Sequence, residues 1–294
     1  MWRRLIFFAF LAGCGPSVPQ LPPPDPPVVP TDAELLKRRP YVPLVPAAYS
    51  ADAGTAWPLI IVLHGYGGSG AETVKNLRLD DIAARAVMVA PNGVMDSTHN
   101  RAWRPGPTHA PFWDVEYLTA VIHDLERRYS IDPARVFVVG HSQGAHMAHR
   151  MACDASNDVA AIVSVAGQVA KVPSACVPAR AVSVLQLHGD LDIAIGYYGD
   201  VQHDPPDPTV PSARQTVGVW GRNDQCTGAL APTGQTIDMD RSVAGAETVV
   251  EAYAGCPPGI SAELWTMKGS GHNPDPTPDF APSLFEFLSA HARK

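Results

Sequence analysis

The chain has 294 residues, of which 46% are hydrophobic and 17% are charged, and its formal net charge is −7. A chain of this length and composition can bury a full-sized core, so we predict one large domain rather than two small ones. The acidic balance, without a cluster of Lys or Arg, argues against nucleic acid as a partner.

The first residues have the pattern of an export signal. Two arginines precede eight apolar residues at 5–12, a run far too short to span a bilayer, which takes about 20 residues. The following Leu11-Ala12-Gly13-Cys14 resembles the lipobox of bacterial lipoproteins, in which the leader is cut before a cysteine that then carries lipid. We therefore expect a signal peptide over residues 1–13, lipidation at Cys14 and a place in the cell envelope, either membrane-anchored or periplasmic or extracellular. An ordinary secretory signal with an incidental Cys14 is the alternative.

Residues 14–38 are predicted to form a Pro-rich linker. Eight prolines lie between Pro16 and Pro30, and polyproline geometry at about 3.1 Å per residue would give this stretch a reach of roughly 45 Å. A disordered tail with no spacer role predicts nearly the same sequence. A single folded domain is then expected over residues 39–294, with contact to a membrane only through the N-terminal lipid anchor.

Short apolar runs alternate with helical patterns from residue 58 onward, which is typical of a mainly parallel sheet covered by helices on both faces. The fold class is therefore α/β. The predicted strands are 59–63, 86–90, 136–139, 161–165, 182–187 and 263–267. The apolar spacing predicts helices over 115–129, 145–152 and 282–293. The Pro- and Gly-rich segments 92–111 and 196–211 are candidate lid loops.

A glycine-rich loop, His64-Gly65-Tyr66-Gly67-Gly68, follows the first predicted strand. A loop in this position can supply a backbone amide to an oxyanion, and here we expect the Tyr66 amide to do so. Phosphate binding is the alternative interpretation. It is disfavoured because no Gly-Lys-Ser/Thr sequence closes the loop.

Ser142 lies in Gly140-His141-Ser142-Gln143-Gly144, between an apolar strand and a helix. A nucleophile elbow requires that order of strand, sharp turn and helix, and glycines flank the serine because a Cβ there would collide with the neighbouring backbone. The helix N-terminus favours negative charge on a bound carbonyl oxygen, and the Gln143 amide is the expected first oxyanion donor. The pentapeptide alone is weak evidence, so a surface serine on a Gly-rich turn is the alternative.

A serine nucleophile needs a general base and a carboxylate that orients the base. Asp190 and Asp192 directly follow the strand at 182–187, at the edge where catalytic loops emerge. His272 lies on a glycine turn after the last strand and is the candidate base, with a solvent-facing loop histidine as the alternative. The chain order of serine, acid and histidine is typical of α/β-hydrolases.

Other candidate site residues carry weaker signals. His146 and His149 are three residues apart on a predicted helix, but no further metal ligands are identifiable, so neither a metal nor an organic cofactor is implied. Trp103, Trp113 and His141 are candidates for lining a substrate cleft. Packing in the core is the alternative for the two tryptophans.

With Cys14 assigned to lipid, four cysteines remain, an even number in a chain expected to be exported, so disulfides are expected. Of the three possible connectivities, we favour Cys153 with Cys176 and Cys226 with Cys256, because each pair closes a short local loop. Free thiols or a zinc site are the alternatives, and no close Cys-x-x-Cys spacing supports zinc.

Taken together, residues 55–292 are similar to the α/β-hydrolase branch that contains polyhydroxybutyrate depolymerases and feruloyl or acetylxylan esterases. The resemblance rests on Ile61-Val62-Leu63-His64-Gly65, Asp114-Val115, Ile131-Asp132-Pro133 with Arg135-Val136, the elbow, His188-Gly189 followed by Asp192, and Gly271-His272. It implies that Asp192, rather than Asp190, is the triad carboxylate. The cysteines before Asp154 and after Gly255 also fit the disulfide positions of that branch.

The chain departs from this family beside the histidine. It continues with Asn273-Pro274-Asp275-Pro276 where the family often has Thr-Trp-Pro-Gly, so the wall beside the base is expected to differ. The elbow ends in Gly144-Ala145 rather than Gly-Gly, a small change that is not expected to matter.

The triad and the resemblance together predict a serine carboxylesterase that hydrolyses carboxylic esters through an acyl-enzyme on Ser142. Its expected partner is a small or oligomeric ester, either a feruloyl or acetyl ester of a polysaccharide or a hydroxyalkanoate oligomer. A serine peptidase or an acyltransferase with the same triad is the first alternative. A non-catalytic surface lipoprotein on a retained hydrolase fold is the second.

Overall fold

The computed structural model describes residues 27–51, 54–106, 109–169, 176–200 and 210–293. The predicted signal peptide, the predicted lipidation site at Cys14 and most of the predicted linker lie outside these ranges. None of the helices in the ranges combines the length and the apolar character needed to cross a bilayer.

Nine strands in the described part of the chain form one mainly parallel sheet. Its parallel centre has the spatial order β3 (Val87–Val89), β2 (Trp57–Leu63), β6 (Ile131–His141), β7 (Ala161–Val165), β8 (Ser183–Gly189), β11 (Ala262–Met267). Both margins are antiparallel, with β1 (Pro43–Leu44) beside β3, and β10 (Thr248–Tyr253) followed by β9 (Leu230–Ile237) beside β11. Strands β4 (Val94–Met95) and β5 (Arg101–Ala102) form a separate small hairpin.

Helices cover both faces of the sheet, so the predicted α/β architecture is confirmed. One face carries α1 (Asp32–Arg38), α3 (Asp114–Arg128), α4 (Gln143–Asp154) and α5 (Ala213–Asn223). The opposite face carries α2 (Gly70–Asn76), the 3-10 helix Leu79–Ile82 and α6 (Phe280–Ala290).

Strand β2 shows why the central strands are continuous apolar runs. Leu59, Ile61 and Leu63 pack into the core under α3 and α4, whereas Ile60 and Val62 pack into the core under α6. All five side chains are fully buried. Successive side chains of a strand point to opposite faces, so a strand covered on both sides has no polar positions. Each such side chain stabilises the fold by about 1.5–3 kcal/mol.

The N-terminal boundary of the folded domain differs from the predicted start at residue 39. Helix α1 lies within the predicted linker and packs against α3, and its Leu35 belongs to the core. Thr31 and Glu34 form a capping box that begins this helix. Arg39 then forms an ion pair with the buried Asp114 at the start of α3. This helix of seven residues was not predicted, because it is short and directly follows the Pro-rich run.

The margins of the sheet also went unpredicted. Strand β9 is almost entirely exposed and therefore lacks the alternation of apolar and polar residues that marks a half-buried strand. The predicted lid segment at 92–111 contains the β4–β5 hairpin. Residues 201–209 of the second candidate lid lie outside the described residues.

The structure joins Cys153 to Cys176 and Cys226 to Cys256, the pairing that the sequence favours. The first disulfide ties the end of α4 to the segment before β8. The second ties the turn after α5 to the turn after β10. Sequence separations of 23 and 30 residues correspond to about 3 kcal/mol of stabilisation each, through restriction of the unfolded chain.

Asp224, which caps the end of α5, is a buried carboxyl group with few partners. Its Oδ1 accepts a 3.1 Å hydrogen bond from Val182 N, while Oδ2 has no partner among the described residues. Burial raises the pKa of Asp224 to about 7, against the opposing effect of the Val182 hydrogen bond. The folded state therefore holds a proton that the unfolded chain has already released.

This shift predicts a loss of stability as pH rises from about 4 to about 7, and Asp224→Asn should remove that loss. The folded pKa lies above the unfolded value of 3.8, so the stabilisation is complete below that value and is lost as pH rises through about 7. The wild-type protein should lose up to about 1.4 kcal/mol per pH unit in this window. Urea unfolding measures the free energy of unfolding of Asp224→Asn and of the wild type. Relative to the wild type, the variant should be more stable at pH 8 than at pH 4. The exposed Asp80→Asn is the control, and an equal effect of Asp224→Asn at both pH values would contradict the prediction.

Candidate active site

The carboxyl ends of the central strands meet at one edge of the sheet. The register places Leu63 of β2 beside Gly140 of β6, and Gly189 of β8 beside Met267 of β11. The loops that follow these strands therefore emerge side by side. They carry the glycine-rich loop, Ser142, Asp192 and His272, in that order along the chain.

Ser142 occupies a strained turn between β6 and α4. Its backbone lies at φ 55° and ψ −121°, a positive φ that non-glycine residues rarely adopt. The turn is enforced by close backbone packing. A Cβ on Gly140 would lie 2.1 Å from Gly144 O, and one on Gly144 would lie 2.1 Å from Leu63 O. Helix α4 can approach the sheet this closely only with glycine at both positions.

The three predicted triad side chains form a continuous hydrogen-bonded series. His272 Nε2 lies 2.9 Å from Ser142 Oγ, and His272 Nδ1 lies 2.8 Å from Asp192 Oδ2. A proton on Nδ1 is donated to the carboxylate, which leaves Nε2 as an acceptor for the serine hydroxyl. The arrangement therefore fits a nucleophile, a general base and an orienting acid.

Asp192 is buried but well supplied with donors. Its Oδ1 accepts hydrogen bonds of 2.9 Å from the amides of Ala194 and Ile195, and its Oδ2 accepts from His272 and His188. Burial raises the pKa of Asp192, but the hydrogen bonds from His188 and His272 outweigh it and hold the pKa far below its ordinary value. The carboxylate is therefore ionised at any working pH.

Asp190, the other carboxylate after β8, lies away from the histidine ring. Its Oδ1 accepts a 2.7 Å hydrogen bond from Gly269 N, and its Oδ2 lies 3.3 Å from Lys268 Nζ. Both partners belong to the loop that carries His272. Asp190 therefore tethers the histidine loop, while Asp192 contacts the histidine itself.

The backbone amides of the two expected oxyanion donors, Tyr66 and Gln143, are unpaired in the described part of the chain. The glycine-rich loop lies against the elbow, since a Cβ on Gly65 would stand 3.2 Å from Ser142 Cβ. The Tyr66 side chain points to the β4–β5 hairpin, where its hydroxyl donates to Asp96 Oδ2 at 2.8 Å.

Trp103 does not line a cleft, contrary to the sequence expectation. The side chain is fully buried, and its Nε1 donates to His64 O at 3.1 Å. Its backbone amide donates to Gln143 Oε1 at 2.9 Å. A large indole ring is stabilised better by a dry core than by the surface of a cleft. Trp103 therefore holds the His64 carbonyl, in the loop of one expected oxyanion donor, and the Gln143 side chain, part of the other.

The remaining candidates serve the fold or border the site. Trp113 is half-buried against the core at the start of α3. His141 donates from Nε2 to His272 O at 3.1 Å and lines a cavity of about 480 Å³ that Asn273 and Arg241 also border. The departure from the family sequence after His272 thus coincides with this cavity.

The helix histidines are engaged by protein groups. His146 contacts Gln168 O through Nδ1, and His149 lies between Gln186 and Trp220. Within the described ranges, no group of three or more His, Cys, Asp or Glu side chains is arranged to hold a metal ion.

Two functional supports were missed by sequence reasoning. His64 is fully buried, and its Nε2 accepts a 2.9 Å hydrogen bond from Gly93 N, which fixes the start of the oxyanion loop. His188 contacts Asp192 from inside the protein. Each histidine is followed by glycine at the carboxyl end of a buried strand, and that repeated His-Gly pattern is the signal that could have indicated a support role.

Comparison with known proteins identifies the family of this fold. The sequence model of a family described as alpha/beta hydrolase fold matches residues 58–233. A protein named as an esterase, NocK of Nocardia uniformis subsp. tsuyamanensis, is 30% identical over 73% of this chain and 64% of its own length. Feruloyl esterase B of Piromyces equi is 28% identical over 77% of this chain and 41% of its own length. The chain thus spans less than two thirds of either relative.

A solved structure shows the same fold at low sequence identity. The acetyl xylan esterase from Aspergillus awamori superposes with a TM-score of 0.61 at 14% identity, over 84% of this chain and 93% of that protein.

The backbone contacts at the elbow predict the effect of Gly144→Ala. The added Cβ would overlap the carbonyl groups of Leu63 and His64, so α4 must move away from β2. We expect a loss of about 3 kcal/mol in the free energy of unfolding, together with loss of any activity that depends on Ser142. Thermal unfolding measures the first effect. Gly106→Ala, where a Cβ meets nothing within 4 Å, is the matched control, and an unchanged melting temperature for Gly144→Ala would contradict the packing argument.

Proposed function

This chain belongs to the α/β-hydrolase family, and from that premise we propose that it is a carboxylic ester hydrolase that works through Ser142, His272 and Asp192. The observation that carries the proposal is the series of hydrogen bonds of 2.9 Å and 2.8 Å from the serine through the histidine to the carboxylate. The similarity to proteins named as esterases supports the same reaction class.

In the first half of the proposed reaction, Ser142 Oγ attacks the carbonyl carbon of the ester while His272 Nε2 takes the hydroxyl proton. Asp192 remains ionised and stabilises the imidazolium that forms. The carbonyl oxygen becomes an oxyanion that accepts from the Tyr66 and Gln143 amides at the positive end of α4. Collapse of the tetrahedral intermediate breaks the bond to the alcohol, which leaves with the proton from His272.

In the second half, water hydrolyses the acyl-enzyme. His272 takes a proton from the water as its oxygen attacks the acyl carbon, and the second intermediate forms in the same oxyanion site. When this intermediate collapses, Ser142 Oγ leaves and recovers the proton from His272, and the carboxylic acid is released. Each oxyanion donor is worth about 10² to 10³ in turnover.

For the substrate, we propose esters with an apolar or aromatic acyl group, such as feruloyl esters. Leu191, Ile193 and Tyr198 are exposed apolar side chains on the segment that carries Asp192, and Tyr66 is exposed on the loop that lies against Ser142. Exposed apolar residues near a catalytic centre favour binding of an apolar group. The feruloyl esterase name of one relative supports this class, and acetyl esters and hydroxyalkanoate oligomers are the other members of the test panel.

We also propose that the enzyme acts outside the cytoplasm, as a lipoprotein attached through Cys14. The apolar run at 5–12 and the lipobox-like sequence support export. The two cysteine pairs of the catalytic domain support an oxidising compartment, because disulfides persist there.

Replacement of the nucleophile tests the proposed reaction. Ser142→Ala should reduce kcat for p-nitrophenyl and feruloyl esters by at least about 10⁴-fold and abolish labelling by a fluorophosphonate probe. Ser164→Ala is the matched control, because this buried serine on β7 lies beside Gly140 in the sheet but outside the triad. Equal labelling of Ser142→Ala and wild type would refute the serine mechanism. Efficient cleavage of peptides without ester selectivity would favour a peptidase instead.

Lipid labelling tests the proposed anchor. The full chain expressed in a bacterium with labelled palmitate should carry label and sediment with membranes, whereas Cys14→Ala should not be labelled. Mass spectrometry of the mature N-terminus identifies the cleavage site. An unlabelled wild-type chain cut at another position would replace the lipoprotein with an ordinary secreted protein.

A further inference from the structure

A series of buried polar side chains lies behind Asp192, on the side opposite His272. It runs from Trp220 on α5 through His149 on α4 to Gln186 and His188 on β8. The four side chains are 0–1% exposed. Polar groups in a dry core are costly unless each donor meets an acceptor, so their hydrogen bonds must have one defined direction.

The direction is set at the far end by Trp220. An indole N–H can only donate, so His149 Nδ1, which lies 3.0 Å from Trp220 Nε1, must accept. Burial lowers the pKa of His149 to about 3, so the ring is neutral and its single proton is on Nε2. That nitrogen then donates to Gln186 Oε1 at 3.1 Å.

The Gln186 amide transmits the direction to His188. Its Nε2 donates to Gly167 O at 2.7 Å and to His188 Nδ1 at 3.0 Å. The opposite amide orientation would place two acceptors, Gln186 Oε1 and Gly167 O, against each other, and two donors, the Gln186 amide group and His149 Nε2–H, against each other. His188 Nδ1 therefore accepts, and its Nε2–H donates to Asp192 Oδ2 at 3.1 Å and to Ile195 O at 2.9 Å.

We propose that His188 is a positioning residue of the triad, held by Gln186, His149 and Trp220 as a neutral Nε2–H donor that shares Asp192 Oδ2 with His272. This inference rests on the proposed ester hydrolase function. The shared oxygen has two consequences. It fixes the carboxylate in the plane that His272 needs, and it disperses negative charge that would otherwise act on His272 alone.

The second consequence predicts a pH effect. Without the His188 donor, Asp192 would stabilise the His272 imidazolium more strongly, so His272 would lose its proton at a higher pH. The other titratable groups around this pair are His141, His146, Tyr197, Asp190 and Lys268. His141 and His146 are buried with lowered pKa values and Tyr197 with a raised one, so these three remain neutral, and Asp190 is paired with Lys268.

Two substitutions at one position separate positioning from packing. His188→Leu removes both nitrogens, whereas His188→Gln keeps an N–H near the position of Nε2. In His188→Leu we expect kcat to fall about tenfold with KM within about twofold, and the acidic limb of the kcat/KM profile to move up by about half to one pH unit. His188→Gln should recover most of kcat and return the limb towards its wild-type position.

The control is Ser183→Ala, a buried polar change at the other end of β8. It is expected to lower stability without moving the pH profile. An acidic limb in His188→Leu that coincides with wild type, or equal kinetics for His188→Leu and His188→Gln, would overturn the positioning role.

A measurement on the unmodified protein covers the case in which the variants do not fold. In ¹⁵N-histidine NMR spectra between pH 5 and 9, His149 and His188 should stay neutral with the proton on Nε2. A titrating His188, or one with its proton on Nδ1, would overturn the inference. This readout is independent of turnover. If the wild-type protein hydrolyses no ester while both tautomers are as expected, the proposed function fails and the hydrogen-bonded series stands.

Discussion

The hydrogen bond between His272 and Asp192 holds together loops that lie 80 residues apart in the chain. Both loops follow neighbouring parallel strands, so the register of β8 and β11 brings their carboxyl ends to the same height. Ser142 reaches the other side of the histidine ring from β6, which is separated from β11 by β7 and β8. The site thus depends on parallel pairing, because an antiparallel neighbour would send its carboxyl end to the opposite edge of the sheet.

The turn at Ser142 adds a local constraint to this long-range one. The positive φ of Ser142 is unfavourable for a residue with a Cβ, and it persists because the surrounding backbone is packed too closely to relax. The glycines at 140 and 144 permit that packing. The strain holds the hydroxyl at the start of α4, where the free amides of the first turn favour developing negative charge.

The interior of the protein supports the site with two kinds of contact. Apolar layers on both faces of the sheet supply most of the stabilisation and specify the architecture. A smaller set of buried polar groups, among them Trp103, His64, Gln186 and His188, orients the loops that carry the candidate triad. Such groups contribute little net stability, but their directional hydrogen bonds permit only one arrangement of the neighbouring backbone and side chains.

The sequence by itself determined the parallel centre of the sheet and the order of serine, acid and histidine. Continuous apolar runs identify strands that are buried on both faces, and the glycines around Ser142 identify a turn that only close backbone packing requires. The exposed strand β9 and the short helix α1 carry no such periodic signal, so the margins of the sheet and the N-terminal boundary of the domain could not be read from the sequence.

Only the tertiary structure decided how the candidate residues divide between chemistry and support. Two aspartates follow β8, and their side chains turn to different partners, Asp192 to the histidine ring and Asp190 to the backbone of the histidine loop. Trp103 resembled a cleft residue and is a buried support. Composition and spacing specify which side chains reach the carboxyl edge of the sheet, whereas burial and hydrogen-bond direction, which arise only when distant strands pair, specify what each one contacts there.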